Sequence, residues 1–302
     1  MSKNFTWNVS ANITFQNAGL IKQLANHTPF VTGSYIIQEG GHVGDFYIYK
    51  NLGVYQYNVS NAYAVNGDRL TPVGVGNNGT TATSYLDNGQ PYSGAIHQLY
   101  RNGLLLKGGS VIWQDVNNDG VIDANDKQIL GNGVPKYYFG LTNFFTYKQF
   151  SLNVTVNGQV GNKVYNQTAN NQNANGSTYS PPTVDAIYHS WLNEGDIAKY
   201  PLFTNKDTYG DISSGLNSLY LQDGSFIRLA NVKFTYTLDR KIAARIKARS
   251  VAFYVYGDNL LTFTNYTWYD PEFSTSNALT PGIDNGKYPK RREIGFGVNF
   301  GF

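Results

Sequence analysis

The sequence predicts an all-β protein whose long, two-faced antiparallel strands form the wall of a transmembrane β-barrel. Three observations carry this. Apolar and polar residues alternate over unusually long stretches. Charge is scarce while tyrosine, glycine and asparagine are abundant. The patterned stretches are joined by links that are alternately long and short.

The 302 residues hold 23 Lys plus Arg and 20 Asp plus Glu, a net charge of +3. So even a balance excludes a general nucleic-acid binder. Charged residues are 14% of the chain, against about 25% in ordinary soluble domains. There are 24 Tyr, 17 Phe, 32 Gly and no Cys, so disulfides, thiolate metal sites and cysteine nucleophiles are excluded. No apolar run approaches the ~18–20 residues a membrane helix needs. Met1-Ser2-Lys3-Asn4 runs straight into a patterned segment, without the charged and apolar regions of a signal peptide. A mature form or a piece of a longer chain is therefore expected.

The first strand is the clearest. Phe5, Trp7, Val9, Ala11, Ile13 and Phe15 alternate with Thr6, Asn8, Ser10, Asn12, Thr14 and Gln16. At ~3.3 Å per residue this stretch reaches about 40 Å, enough for a tilted strand to cross a bilayer core. Next, Tyr137, Phe139, Leu141, Phe145 and Tyr147 share a face broken only by Asn143. After the two-residue turn Lys148-Gln149, Phe150, Leu152, Val154 and Val156 oppose Ser151, Asn153, Thr155 and Asn157. Ala230, Val232, Phe234 and Tyr236 then alternate with Asn231, Lys233, Thr235 and Thr237. Val251, Phe253 and Val255 alternate with Ala252, Tyr254 and Tyr256. In the last strand Ile294, Phe296, Val298, Phe300 and Phe302 oppose Glu293, Gly295, Gly297, Asn299 and Gly301. Bulky residues toward lipid and glycines toward a crowded lumen explain that strand. A sandwich strand with one buried face is the alternative.

Residues 17–136, 161–225 and 264–290 form the long links, and 148–149 and 239–248 the short ones. Bacterial outer-membrane barrels have short periplasmic turns and long extracellular loops. The three long links are thus expected outside the cell and the short ones in the periplasm. Fewer than eight strands do not close a membrane barrel, and open edges in lipid are costly. Further strands are expected to complete the wall.

One loop carries a sharp motif. Asp115, Asn117, Asp119, Asp123 and Asp126 supply oxygens at loop positions 1, 3, 5, 9 and 12. Gly120 stands at the sharp turn, and Val121 offers its backbone carbonyl. This is the spacing of an EF-hand-type calcium loop, closed by Asp instead of Glu. An Asx-rich turn held by its own side chains is the alternative.

No other pattern points to chemistry. His27, His42, His97 and His189 are scattered, and no nucleophile elbow or Walker loop occurs. Glu194, Asp196, Asp270 and Glu272 show no paired-carboxylate pattern. No enzyme is expected. Arg240, Lys241, Arg245, Lys247 and Arg249, like Lys287, Lys290, Arg291 and Arg292, suit headgroup or lipopolysaccharide contact at the membrane edges. Val184, Ile187, Tyr188 and Trp191 have helical spacing and are expected to pack a loop helix onto the rim or stack on a sugar. The Asn/Gln-rich run 166–175 reads as a flexible loop tip.

Several segments, in order, resemble the C-terminal third of SusC/RagA-type TonB-dependent outer-membrane transporters. They include Gly44 through Gln56, the calcium-like loop with Gly131 through Lys136, Asn157 through Asn162, and Trp191 through Pro201. Asp223 through Leu229, Gly257 through Leu260, Tyr269 through Glu272 and the closing Gly297 through Phe302 complete the set. The resemblance covers nearly all of residues 1–302. It implies the C-terminal antiparallel strands of a barrel of about 22 strands, its plug and first strands lying outside this sequence. It further implies a Bacteroidetes-like outer-membrane location and glycan or peptide import. Its implied partners are a SusD-like surface lipoprotein, the TonB complex, the remaining barrel strands and outer-membrane lipid. The rival expectation is a soluble, secreted, calcium-binding β-domain that binds a glycan or a protein partner.

Overall fold

A computed structural model describes residues 4–16, 19–174, 181–202, 216–272 and 278–302. Six strands form one antiparallel sheet in sequence order. They are β1 (Phe5–Phe15), β2 (Tyr137–Tyr147), β3 (Phe150–Val160), β4 (Phe226–Thr237), β5 (Ser250–Thr264) and β6 (Glu293–Gly301). Each matches an alternating stretch of the sequence, because a two-residue period places every second side chain on the same face.

The register aligns these faces across the whole sheet. Phe5, Tyr147, Phe150, Tyr236, Phe253 and Val298 stand side by side at the short-turn end. The next apolar row is Trp7, Phe145, Leu152, Phe234, Val255 and Phe296. A row of the other face reads Ser10, Thr142, Thr155, Asn231, Asp258 and Glu293. The sheet thus has one apolar and one polar surface. The apolar one is uncovered, with Phe296 90% exposed. Asn143 interrupts it, but Trp7 Nε1 donates to Asn143 Oδ1 at 3.1 Å, so the amide oxygen is not left bare.

The glycines of β6 have a steric cause. A Cβ on Gly295 would lie 2.5 Å from the Tyr256 ring, and one on Gly297 2.5 Å from the Tyr254 ring. Both tyrosines lie over β6 on the polar face, which requires those positions to be bare.

One strand departs from its simple alternation. Ala230 does not take its place in the row with Val232, because the register shifts between Leu229 and Asn231. Unbroken alternation would have put Arg228 on the apolar face. The bulge instead gives that face Leu229 and Ile227, opposite Val156 and Gly158. Arg228 passes to the polar face, opposite Asn157. On β5 the slack is taken up at Asn259, whose φ is +51°.

The packed core lies in the long links and not in the wall. Tyr35, Phe46, Ile48, Tyr165, Ala186, Tyr200 and Tyr220 form one buried cluster. Tyr55, Tyr63, Leu99, Leu106, Val111, Ile112, Trp113 and Ile122 form another. Asn61 organises the second: its Nδ2 donates to the Leu99 and Leu106 carbonyls at 2.9 and 2.7 Å. Its Oδ1 accepts from Leu99 N at 2.9 Å.

The Asn/Gln-rich run is not a loose tip over its described part. It forms helix α1 (Gln167–Ala174), with Asn166, Asn170 and Asn173 buried. Asn166 Oδ1 caps the start by accepting from Ala169 N at 2.8 Å. The asparagines recur every three to four residues, which places them on one helix face. Helix α2 (Val184–His189) is shorter than its spacing suggested. It buries Ala186 and leaves Val184, Ile187 and Tyr188 exposed, so the apolar stripe faces away from the protein. Trp191 does pack inward, its Nε1 donating to Gln56 O at 3.1 Å.

Candidate functional site

The polar face of the wall carries an ion cluster, buried at Arg228 and Asp270 and open at Glu272 and Lys290, that ties a long link to it. Arg228 is 2% exposed, and its Nη2 donates to Asp270 Oδ1 at 2.6 Å. Its Nη1 lies 3.0 Å from Glu272 Oε2, and Lys290 Nζ reaches Glu272 Oε1 at 2.5 Å. Lys290 N closes the cluster on Asp270 Oδ2 at 2.9 Å. A buried guanidinium needs such compensation, since removing a charge from water costs several kcal/mol (roughly) per ion. The Asp270-Pro271-Glu272 pair is therefore committed to anchoring. Nearby, Tyr266 donates to Asp284 Oδ2 at 2.6 Å, and burial together with that carboxylate pushes its phenol pKa up.

The acidic loop folds as a chain of Asx contacts. Asp115 Oδ2 accepts from Gly120 N at 2.9 Å, where Gly120 has φ +82°. Asn117 Oδ1 accepts from Asp119 N, and Asp119 Oδ1 from Val121 N. Asp123 caps the turn that follows, taking Asn125 N at 2.7 Å. Asp126 is fully buried and accepts from Val116 N and Asp123 N, both at 2.8 Å. Burial pushes its carboxyl pKa up, and the Asp115 and Asp123 charges add to the rise. Asp115 Oδ1 is buried with no hydrogen-bond partner. The six loop positions thus follow one another through a run of Asx turns. Yet among the described residues no three His, Asp or Glu side chains are gathered closely enough to hold a metal ion.

Beside this loop opens a cleft of about 490 Å³. Lys50, Tyr63, Asp68, Arg69, His97 and Trp113 line it together with Asp115. Charges of both signs and aromatic rings thus share one wall. The Trp113 ring is held by the Arg101 guanidinium, 4.4 Å from the ring centroid. Its Nε1 is buried without a partner. Such a surface can hold a polar ligand by hydrogen bonds to its charged side chains.

The remaining polar residues have local roles. His27 Nδ1 meets Glu39 at 2.8 Å, and His189 Nδ1 meets Asp185 at 2.8 Å. Asp196 Oδ2 accepts from Leu192 N and Asn193 N in a turn. Sequence reasoning missed Asn61 and Arg228 as organising residues. Arg228 had a signal, since unbroken alternation would have stranded it on the apolar face.

No family model matches the chain. Its whole length aligns with TonB-dependent receptor P39 of Formosa agariphila, at 36% identity over 304 residues. It also aligns over its whole length with SusC, a TonB-dependent receptor of Bacteroides thetaiotaomicron, at 22% identity over 312 residues. The fold matches the RagAB peptide importer in its open-open state with a TM-score of 0.63, at 18% identity, over 100% of this chain. Along its whole length the chain is similar to a stretch of TonB-dependent receptors, SusC among them. It spans 29% of P39 and 25% of SusC, and 27% of the RagAB chain. It is accordingly an arc of a large barrel in the outer membrane. In membrane barrels generally, the apolar face of such strands meets lipid and the polar face lines the lumen.

Proposed function

We propose that this chain forms part of a nutrient importer, in which residues 17–136, 161–225 and 264–290 build the outward-facing chamber. The observation that carries the reading is the division of labour in the fold: a bare two-faced wall joined on one side to a packed cap. The RagAB peptide importer, whose fold it matches, favours a peptide as cargo; a glycan is the other class that the family resemblance implies. The cleft beside Trp113 and Arg69 suits either polar chain. A SusD-like surface lipoprotein is the proposed lid, and energy comes from the TonB complex through other parts of the barrel. Val184, Ile187, Tyr188 and Leu192, exposed on and just after α2, are offered as part of its docking rim.

The test is uptake by cells carrying the complete barrel. Labelled oligosaccharides or peptides should accumulate in a TonB-dependent way, and a lipoprotein should co-purify. Ile187→Asp with Tyr188→Asp should reduce that co-purification several-fold. TonB-independent accumulation of both cargo classes, or none at all, would sink the reading.

Calcium at the acidic loop belongs to the same proposal. Its support is the all-oxygen donor set and the buried, unpartnered Asp115 Oδ1. Asp115, Asn117, Asp119, Asp123 and Asp126 would hold the ion with the Val121 carbonyl. It would have to displace the bond from Asn117 Nδ2 to Asp119 Oδ2. The ion would supply structure only, ordering an outer loop. Calcium should raise the melting temperature of the native barrel, and Asp119→Ala should abolish the rise. An equal rise in the variant would leave the turn as an Asx-rich one.

A further inference from the structure

Helix α3 (Arg240–Arg245) fills the short link between β4 and β5. Val251 belongs to the apolar face, one position beyond the exposed Phe253 and opposite Phe300. Yet Val251 is only 1% exposed, because Ala243 and Ala248 pack on it together with Leu238. The helix therefore folds over the lipid side of the wall at its short-turn rim, instead of capping the lumen. It presents Ile242 and Ile246 outward, both about half exposed. Around them stand Arg240, Lys241, Arg245, Lys247 and Arg249, all exposed and none in an ion pair among the described residues. The only carboxylate of residues 239–249 is Asp239, which accepts from Lys241 N as the helix cap.

A short helix with apolar teeth and a cationic fringe, lying beside lipid-facing strands, is an interfacial element. Two isoleucines suit the acyl boundary, while the long Lys and Arg stems reach up to the headgroups. Each basic residue near an anionic membrane surface favours association about fivefold. We infer that α3 and residues 246–249 form a binding surface for anionic glycerophospholipid headgroups of the leaflet at the short-turn end. The inference rests on the barrel reading, which makes that leaflet the periplasmic one.

This stretch contains no cysteine, so a single reporter can be placed in it once any cysteine elsewhere in the complete barrel is replaced. A bimane label is put at Ile246→Cys in the complete barrel, reconstituted in equimolar phosphatidylcholine–phosphatidylglycerol vesicles. Either lipid is brominated in turn. A second label at Phe296→Cys reports the wall. Brominated phosphatidylglycerol should quench the label at position 246 at least about twofold more than brominated phosphatidylcholine. Lys241→Gln with Arg245→Gln and Lys247→Gln should erase the difference, with quenching at position 296 unchanged. Quenching at 296 but not at 246 would overturn the inference and spare the barrel. Equal quenching by both lipids would overturn it too, as would a preference for added lipid A over phosphatidylglycerol. Loss of quenching at 296 would remove the barrel reading and the inference together.

Discussion

Gly295 and Gly297 are bare because Tyr256 and Tyr254 lie across them, not because the strand needs flexibility there. Gly297→Val should therefore destabilise the barrel by about 1–3 kcal/mol through overpacking. Tyr254→Ala in the same chain should restore much of the loss, as read from denaturation midpoints of the reconstituted protein. A Gly297→Val chain as stable as its parent would remove the steric account. Arg228 poses the opposite problem, a charge that must be compensated. Asp270→Asn leaves the guanidinium short of a partner and should cost roughly 3–5 kcal/mol. Because the lost contact joins β4 to residues 270–290, that link should become the first site of protease cleavage. The tyrosines and glycines were visible as opposing residue types. Their contact across the β5–β6 pair was not, since it depends on pairing partners 39 and 43 positions apart, Tyr256 with Gly295 and Tyr254 with Gly297.

Single elements were read well where one period ran unbroken. β1, β2, β3 and β6 match their alternating stretches to within one or two residues at the ends. β4 broke the pattern at Ala230, because a bulge resolves a conflict that alternation alone creates: Arg228 shares parity with Val232 and Phe234. In the cap, α1 was hidden because its buried face is made of asparagine, which carries no hydrophobic period. The helix α2 stripe was real in spacing but faces outward. Its position is held by polar contacts, Asp185 Oδ2 meeting Lys199 Nζ at 2.5 Å and Tyr200 Oη at 2.8 Å. The Lys199 contact holds the Asp185 carboxyl below its usual range, with the Tyr200 hydrogen bond adding to it. A depressed folded-state pKa means the contribution is present above the unfolded carboxylate value and lost as pH falls through the folded one. Hydrogen exchange across residues 184–200 should thus rise, relative to intrinsic rates, as pH drops below about 4. Asp185→Asn should show the same exposure at neutral pH and no further change on acidification.

At the level of the molecule, the wall and the cap follow different rules. Among the largest fully buried side chains of the described residues, Trp113, Tyr35, Tyr55, Tyr165, Phe46 and Ile48 lie in the cap, and only Arg228 and Val251 lie on wall strands. Apart from Asn143 and the covered Val251 the apolar face is continuous and bare, and each large apolar side chain left in water would forgo about 1.5–3 kcal/mol. Lipid removes that penalty. Val154→Arg, in the middle row with Val9 and Val232, should cost about 2–4 kcal/mol in vesicle unfolding, whereas Tyr147→Arg at the end row should cost about 0–1 kcal/mol. Equal costs at both depths would argue against a bilayer around this sheet. The amino-acid order alone specified the strands, their two faces and the alternation of link lengths, because a period of two is a local property of the backbone. It also marked out residues 115–126, because Asx turns form between near neighbours. Tertiary structure alone decided the bulge at Ala230, the Arg228 anchor, the burial of asparagines in α1 and the fold of α3 over Val251. Each of these is settled by which distant residues come to lie against one another, and no window of sequence contains both partners.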